Sequence, residues 1–421
     1  MSFIKSIFST KNNGNGHTQI KIAGIKINIK SSYQDKQYYR NLPIENNKIV
    51  FRHHIGSYGC NVKYIAEEIL KQKLPYDLVF VVNKNILKFM KDYPENVRLV
   101  MTNTQEAYKE YATAKIWIDS ERRGAFIKKG LFKRDGQKYI QTFHGSLGIK
   151  KTAPDREDVS QNAFRASIAD ALQIDYLISN SSYTSDFFRR IFWNNGIILE
   201  TGHPRNDIFF KDTSAVKENV YNKLNINANK KLILYAPTLR ENRDLSHYEL
   251  DFNKLADAFS KKFGGEYAVA LRLHPLILDL KNKYKLEFND CINATDYSDI
   301  QELLCASDIL ITDYSSCIYD FMLQYKPGFI FATDRKEYEE GRGLYYPLTS
   351  TPFPVAENNE EMINNINDFD YEKYKIKVKE FLKEKGCIDD GNASKRVVEV
   401  IKSIIETPDE LDKKIEEFAV K

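Results

Sequence analysis

Five cysteines in 421 residues, none spaced C-x-x-C, are too few for a disulfide scaffold. Cys60, Cys291, Cys305, Cys317 and Cys387 are odd in number and scattered. They read as small buried hydrophobes in a protein of a reducing, cytoplasmic compartment. Charge of one sign is also lacking: 62 basic against 58 acidic side chains leave +4, which gives no reason to bind nucleic acid. Local basic patches for an anionic substrate remain open. No apolar run approaches the ~18 residues of a spanning helix. The opening MSFIKSIF holds Phe3, Ile4, Ile7 and Phe8 but is too short for a secretory signal. It reads as a frayed terminus, with peripheral contact to the inner face of the cell membrane left open. There is no G-x-x-x-x-G-K-[ST] loop, no G-x-S-x-G elbow and no His/Cys/Asp cluster at zinc spacing. P-loop hydrolysis, α/β-hydrolase chemistry and a zinc site are thereby disfavoured.

What the sequence does have is alternation. Short runs rich in Ile, Val, Leu, Phe and Tyr predict strands over Lys48–His53, Tyr76–Asn83, Val97–Met101, Lys115–Ser120, Lys138–Phe143, Tyr176–Ser179 and Ile197–Thr201. Further on they predict Lys231–Tyr235, Tyr267–Leu273, Cys291–Asn293, Asp308–Thr312 and Gly328–Phe331. Helical spacing lies between them at Asn61–Lys71, Asp158–Leu172, Thr184–Phe192 and Asn253–Phe263. This is an α/β pattern of buried parallel strands, too many for one ordinary sheet. The expectation is two Rossmann-like parallel-sheet domains facing a cleft. A polar boundary near 211–229 sets an extension at 1–46 with a hairpin over Ile20–Ile29, domains at 47–211 and 212–392, and a helical tail at 393–421.

In such sheets ligands collect beyond the carboxyl ends of the strands. Five predicted strand ends carry reactive residues beside Gly or Pro: His144-Gly145-Ser146, Gly202-His203-Pro204-Arg205-Asn206-Asp207, Ala236-Pro237-Thr238-Leu239-Arg240, His274-Pro275 and Asp313-Tyr314-Ser315-Ser316. His144 suits a general base acting on a hydroxyl, with Gly145 allowing close approach to the backbone. Arg272 and His274 share one strand face and would place two donors against a diphosphate. Ser315 and Ser316 precede a predicted helix at Cys317–Gln324 and serve either as caps or as phosphate donors. Asp320, one turn on, is either a ribose ligand or a solvated carboxylate. Arg205 and Arg240 offer planar forks to phosphate, or else form salt bridges across the cleft with Asp207 as a candidate partner. The acids of 335–342 read as a solvated loop, with Gly341-Arg342-Gly343 beside a substrate path.

Six ordered segments resemble the CDP-glycerol glycerophosphotransferases: Ala114–Asp119 with Gln137–Gly145, then Gly202–Asp207, Tyr235–Arg240, Leu271–Pro275 and Ser307–Ser316. The likeness runs from about residue 48 to about 390 and departs from the family pattern at Phe143, Ser146-Leu147 and His203. It implies a GT-B architecture with the CDP-alcohol in the C-terminal domain and the acceptor presented by the N-terminal one. It also implies His144 as base, His274 as a second essential histidine at the diphosphate, and Arg240, Arg272, Ser315 and Ser316 near the donor phosphates, with Thr238 and Asp313 in the same motifs. No metal and no cofactor are expected. The partners would be CDP-glycerol or a related CDP-polyol and a lipid-linked or polymeric acceptor. The alternatives are a GT-B glycosyltransferase using a nucleotide sugar and a catalytically inactive binding module.

Overall fold

The structure is a computed structural model that describes residues 8–12, 17–22, 25–30, 39, 41–53, 57–83, 89–122, 131–152, 155–156, 159–192, 196–240, 246–273 and 291–420. His274, Pro275 and the first seven residues lie outside these.

Strands β1 (Phe8–Asn12), β2 (His17–Ile22) and β3 (Ile25–Lys30) form an antiparallel sheet, whose β2–β3 pair is the expected hairpin. Seven parallel strands follow: β4 (Glu45–Arg52), β5 (Asp77–Val82), β6 (Arg98–Met101), β7 (Ala114–Asp119), β8 (Lys138–Gln141), β9 (Tyr176–Ser179) and β10 (Ile197–Glu200). Their order is β10-β9-β8-β7-β4-β5-β6. The second parallel sheet contains β11 (Lys231–Tyr235), β12 (Tyr267–Leu271), β13 (Ile292–Asn293), β14 (Ile309–Thr312), β15 (Gly328–Phe331) and β16 (Val355–Ala356), ordered β13-β12-β11-β14-β15-β16. Most central strands are buried from end to end because helices cover both faces, which is why they read as unbroken apolar runs.

In each sheet the first strand sits centrally and the chain winds outward from it in both directions. The strand order reverses between β4 and β7 in the first sheet and between β11 and β14 in the second. Crevices at such reversals admit ligands.

The polar boundary region contains the helix Ser214–Leu224, whose Val220 and Tyr221 join the second core. Residues 335–341 form a helix with no buried member instead of a loop. The last long helix, Ala393–Ile405, returns to the first sheet and buries Val397, Val400, Ile401 and Ile404 in one cluster with Ile49, Phe51 and Ile65. Beyond it, the Glu200 N–H donates to Phe418 O at 2.8 Å and the Val420 N–H to Ile198 O at 3.0 Å. The chain end thereby covers the exposed edge of β10.

The two sheets meet through polar contacts. Lys63 Nζ lies 2.8 Å from Asp299 and 2.6 Å from Glu302, while the Tyr64 hydroxyl donates to Asp299 at 2.9 Å. A short antiparallel clasp also joins the two halves: the Lys151 N–H donates to Gly343 O at 3.1 Å and the Tyr345 N–H to Ile149 O at 2.8 Å. Among the described residues no helix is long and apolar enough to cross a membrane.

Candidate active site

A cavity of about 820 Å³ lies between the sheets. His53, Cys60, His144, Lys150 and Arg205 line it from the first half, and Thr238, Arg240, Arg272, Gln301, Ser315, Ser316 and Asp320 from the second. In the first half these residues follow β4, β8 and β10, and in the second they follow β11, β12, β13 and β14.

The turn after β8 is held from several sides. Phe143 takes φ +52°, a left-handed conformation that costs a side-chain-bearing residue free energy. Gln141 Oε1 accepts from the Phe143 N–H at 2.8 Å. The Asn61 amide donates to the carbonyls of Thr142 and Phe143, each at 3.1 Å. A Cβ on Gly145 would meet the Phe143 ring at 3.0 Å, so the turn leaves little room for a larger residue. His144 Nδ1 is 2.8 Å from the carbonyl oxygen of Ser120, just past β7. A nitrogen facing a carbonyl carries the proton, so Nε2 holds the lone pair. The fold thus fixes the tautomer that a proton acceptor needs.

Arg205 closes this turn against the second sheet. Its guanidinium donates to the His144 carbonyl, and Nη2 stands 3.0 Å from Asp320 Oδ2. The Ser146 hydroxyl donates to Asp320 Oδ1 at 2.6 Å. Gln301 Nε2 reaches Asn206 at 3.0 Å from the other side.

On the second sheet Arg240 is enclosed by acids and rings. It pairs with Asp313 at 2.7 Å and, by two nitrogens, with Asp334 at 2.6 and 2.9 Å. Its guanidinium carbon lies 4.9 Å from the Tyr314 ring centre and 5.3 Å from that of Tyr338. Asp313 also accepts from the Thr238 N–H, at 2.9 Å to Oδ1. The Thr238 hydroxyl, in contrast, is buried at the cavity wall without a partner among the described residues.

The expected forks, Arg205 and Arg240, are therefore already neutralised, Arg205 by a salt bridge across the cleft and Arg240 by carboxylates of its own half. Their partners are Asp320, Asp313 and Asp334 rather than Asp207. Asp207 is absent from the cavity wall and accepts from the backbone N–H groups of Ala393 and Ser394 at 2.9 and 2.7 Å. Asp320, read as a ribose ligand or a solvated carboxylate, is buried in its pairing with Arg205. Ser315 accepts from the Cys317 N–H at 3.5 Å as a cap, whereas Ser316 makes no side-chain cap bond.

Arg272 is different. Nη2 donates to Tyr297 O at 3.2 Å, and among the described residues Nε is buried without a partner and no carboxylate pairs with the group. Burial pulls its pKa down to about 10, against the opposing pull of Asp299. His274, its expected companion, is outside the described residues.

His53 was not singled out from sequence, although it closes the predicted strand Lys48–His53 in the position that marked the other candidates. Its Nδ1 lies 2.8 Å from Ser57 O. Burial pulls its pKa down to about 4, with His144 and Arg272 adding to the shift, so the ring is neutral. Among the described residues no group of three or more His, Cys, Asp or Glu side chains is arranged to hold a metal ion.

Two parallel-sheet halves with a cationic, histidine-bearing cleft define a GT-B-like α/β transferase. A family model described as CDP-Glycerol:Poly(glycerophosphate) glycerophosphotransferase matches residues 36–403, and the chain belongs to that family. It is 32% identical over 376 residues to the teichoic acid poly(glycerol phosphate) polymerase of Bacillus spizizenii, covering 85% of this chain and 92% of that one. It is 30% identical over 377 residues to the polymerase of the same name from Staphylococcus epidermidis, covering 85% of this chain but spanning only 51% of that longer protein. A solved structure of the wall teichoic acid polymerase TagF with CDPG superposes with a TM-score of 0.73 at 28% identity, covering 91% of this chain and 92% of that one.

Proposed function

We propose that this chain transfers a polyol phosphate, with glycerol phosphate the first choice, from a CDP-alcohol to an acceptor hydroxyl, releasing CMP. The product would extend a teichoic acid or related capsule-type polymer. The acceptor would be a growing chain or a lipid-linked primer met at the inner face of the cell membrane. Family membership supports the reaction class. The observation that carries the chemistry is the 2.8 Å contact of His144 Nδ1 with Ser120 O, which leaves Nε2 as a proton acceptor in the cleft.

The acceptor oxygen attacks the β-phosphorus of the donor while His144 Nε2 takes the hydroxyl proton. The bond between the β-phosphorus and the bridging oxygen breaks, and that oxygen leaves on CMP. Arg272 and the hydroxyls of Thr238 and Ser316 stabilise the charge on the transferring phosphate and the departing nucleotide. His274 belongs beside them by its place in the matched motif. No cofactor takes part.

The test is CMP release by the purified chain, supplied with CDP-glycerol, CDP-ribitol and other CDP-alcohols and a short phosphopolyol acceptor. Release with one donor supports the reading and names the alcohol. No release, with a nucleotide sugar consumed in its place, overturns it in favour of glycosyl transfer.

A further inference from the structure

Arg272 and Lys150, two cations of the cavity, have no acidic partner among the described residues, and they come from opposite halves. Arg205 and Arg240 are paired with Asp320, Asp313 and Asp334. Arg272, at the end of β12, is not. Neither is Lys150, which follows the His144 turn in the first half: its ammonium has no hydrogen-bond or ion-pair partner among the described residues. By chain position Lys150 belongs with the base. Its electrostatic surroundings are Asp313, Cys317 and Arg240, all of the second half, and Asp313 is already bound to Arg240 at 2.7 Å. Desolvation there lowers the lysine's pKa. An uncompensated, desolvated ammonium is costly to keep, and an anion placed beside it relieves the cost.

The backbone explains how the side chain gets there. Lys150 forms an antiparallel bridge with Leu344, flanked by the Lys151-to-Gly343 and Tyr345-to-Ile149 hydrogen bonds. Gly343 takes φ +76°, and a Cβ on it would come within 2.8 Å of the Lys151 side chain. The clasp therefore needs glycine at that position, and it carries Lys150 over to the donor side.

We propose that Lys150 is a ligand of the donor's diphosphate, supplied across the cleft by the half that carries the base. This rests on the reading of the cleft as a nucleotide-diphosphate transferase site and deepens it. A diphosphate diester carries one negative charge on each phosphate, and Lys150 and Arg272 supply one positive charge each. Donor binding thereby bridges the two halves and sets the phosphorus against His144.

The backbone of Lys150 makes the clasp and its side chain makes the site, so Lys150→Met separates the two. Calorimetric titrations of wild type, Lys150→Met and Lys150→Arg with cytidine, CMP and CDP, and with uridine, UMP and UDP, form the test. Lys150→Met should weaken CDP by about tenfold to a hundredfold, as losing a charged hydrogen bond does. It should leave cytidine unchanged, and Lys150→Arg should recover most of the loss. Unchanged CDP affinity, or equal weakening of cytidine and CDP, overturns the assignment. A wild type that prefers UDP to CDP refutes the cytidine-donor reading instead, and the uridine series then decides the role of Lys150 by the same comparison.

Discussion

Arg205 and Asp320, from different halves of the molecule, meet at 3.0 Å with both side chains almost wholly buried. The pair joins the turn carrying His144 to the helix Cys317–Phe321, because Arg205 also binds the His144 carbonyl and Ser146 also binds Asp320. Removing one partner leaves a buried charge uncompensated. Asp320→Asn should cost about 3–5 kcal/mol in urea unfolding. Replacing both, as Arg205→Met with Asp320→Leu, should recover much of that loss. A double variant no more stable than Asp320→Asn would show that the interaction is not a simple charge pair.

The fixed tautomer of His144 separates binding from chemistry. His144→Gln keeps a polar side chain but no basic nitrogen. Turnover should fall roughly 10²- to 10⁴-fold, the usual contribution of a positioned base. Affinity for CDP should stay as in wild type, since the diphosphate ligands belong to other residues. Single-turnover CMP release beside CDP titration checks both halves of this expectation. Near wild-type turnover would remove His144 from its role.

The strands were legible because a strand buried on both faces shows itself as a run of apolar residues, as Ile309–Thr312 and Tyr176–Ser179 do. Val355–Ala356 was not, being two residues long just after Pro354. Strand ends located the cleft because chain reversal in a parallel sheet has only a few places to gather polar side chains. Pairing was the illegible part. Asp320 lies 115 residues from Arg205 and Asp334 lies 94 from Arg240, separations at which no local spacing rule operates. Sequence could therefore name Arg205, Arg240 and Arg272 near the cleft but not distinguish the two that are neutralised from the one that is not. His53 escaped for a simpler reason: it ended a predicted strand without an adjacent Gly or Pro to draw notice.

His53 gives a pH signature. Its pKa is about 4 in the fold against 6.5 unfolded. Between these values the unfolded chain binds the extra proton, so the contribution of neutral His53 is complete above 6.5 and is lost as pH falls toward 4. Glu67 and Asp389 are both pushed up to about 6 by burial and act in the opposite direction, so the wild-type profile alone would conceal the effect. The comparison with His53→Gln isolates it. Between pH 7 and pH 5 the stability of wild type relative to the variant should drop by about 2 kcal/mol. Urea midpoints at the two pH values measure it, and a constant gap would mean that the ring titrates alike in both states.

Asp207 should behave as a structural residue despite standing in the matched segment Gly202–Asp207. Its two carboxylate oxygens take the Ala393 and Ser394 N–H groups at 2.9 and 2.7 Å, the free donors at the start of the helix Ala393–Ile405. That helix has no side-chain cap from its own N-cap residue, Asn392, so the distant carboxylate fills the role. A negative charge at this end also complements the helix dipole. Asp207→Ala leaves two buried donors without acceptors and should cost about 1–2 kcal/mol, as loss of a cap does. The loss should be local: amides of 393–405 should exchange faster with solvent, while CDP affinity stays unchanged. Hydrogen exchange resolved by peptide checks the first and titration the second. Weakened CDP binding with unaltered exchange across 393–405 would return Asp207 to the substrate.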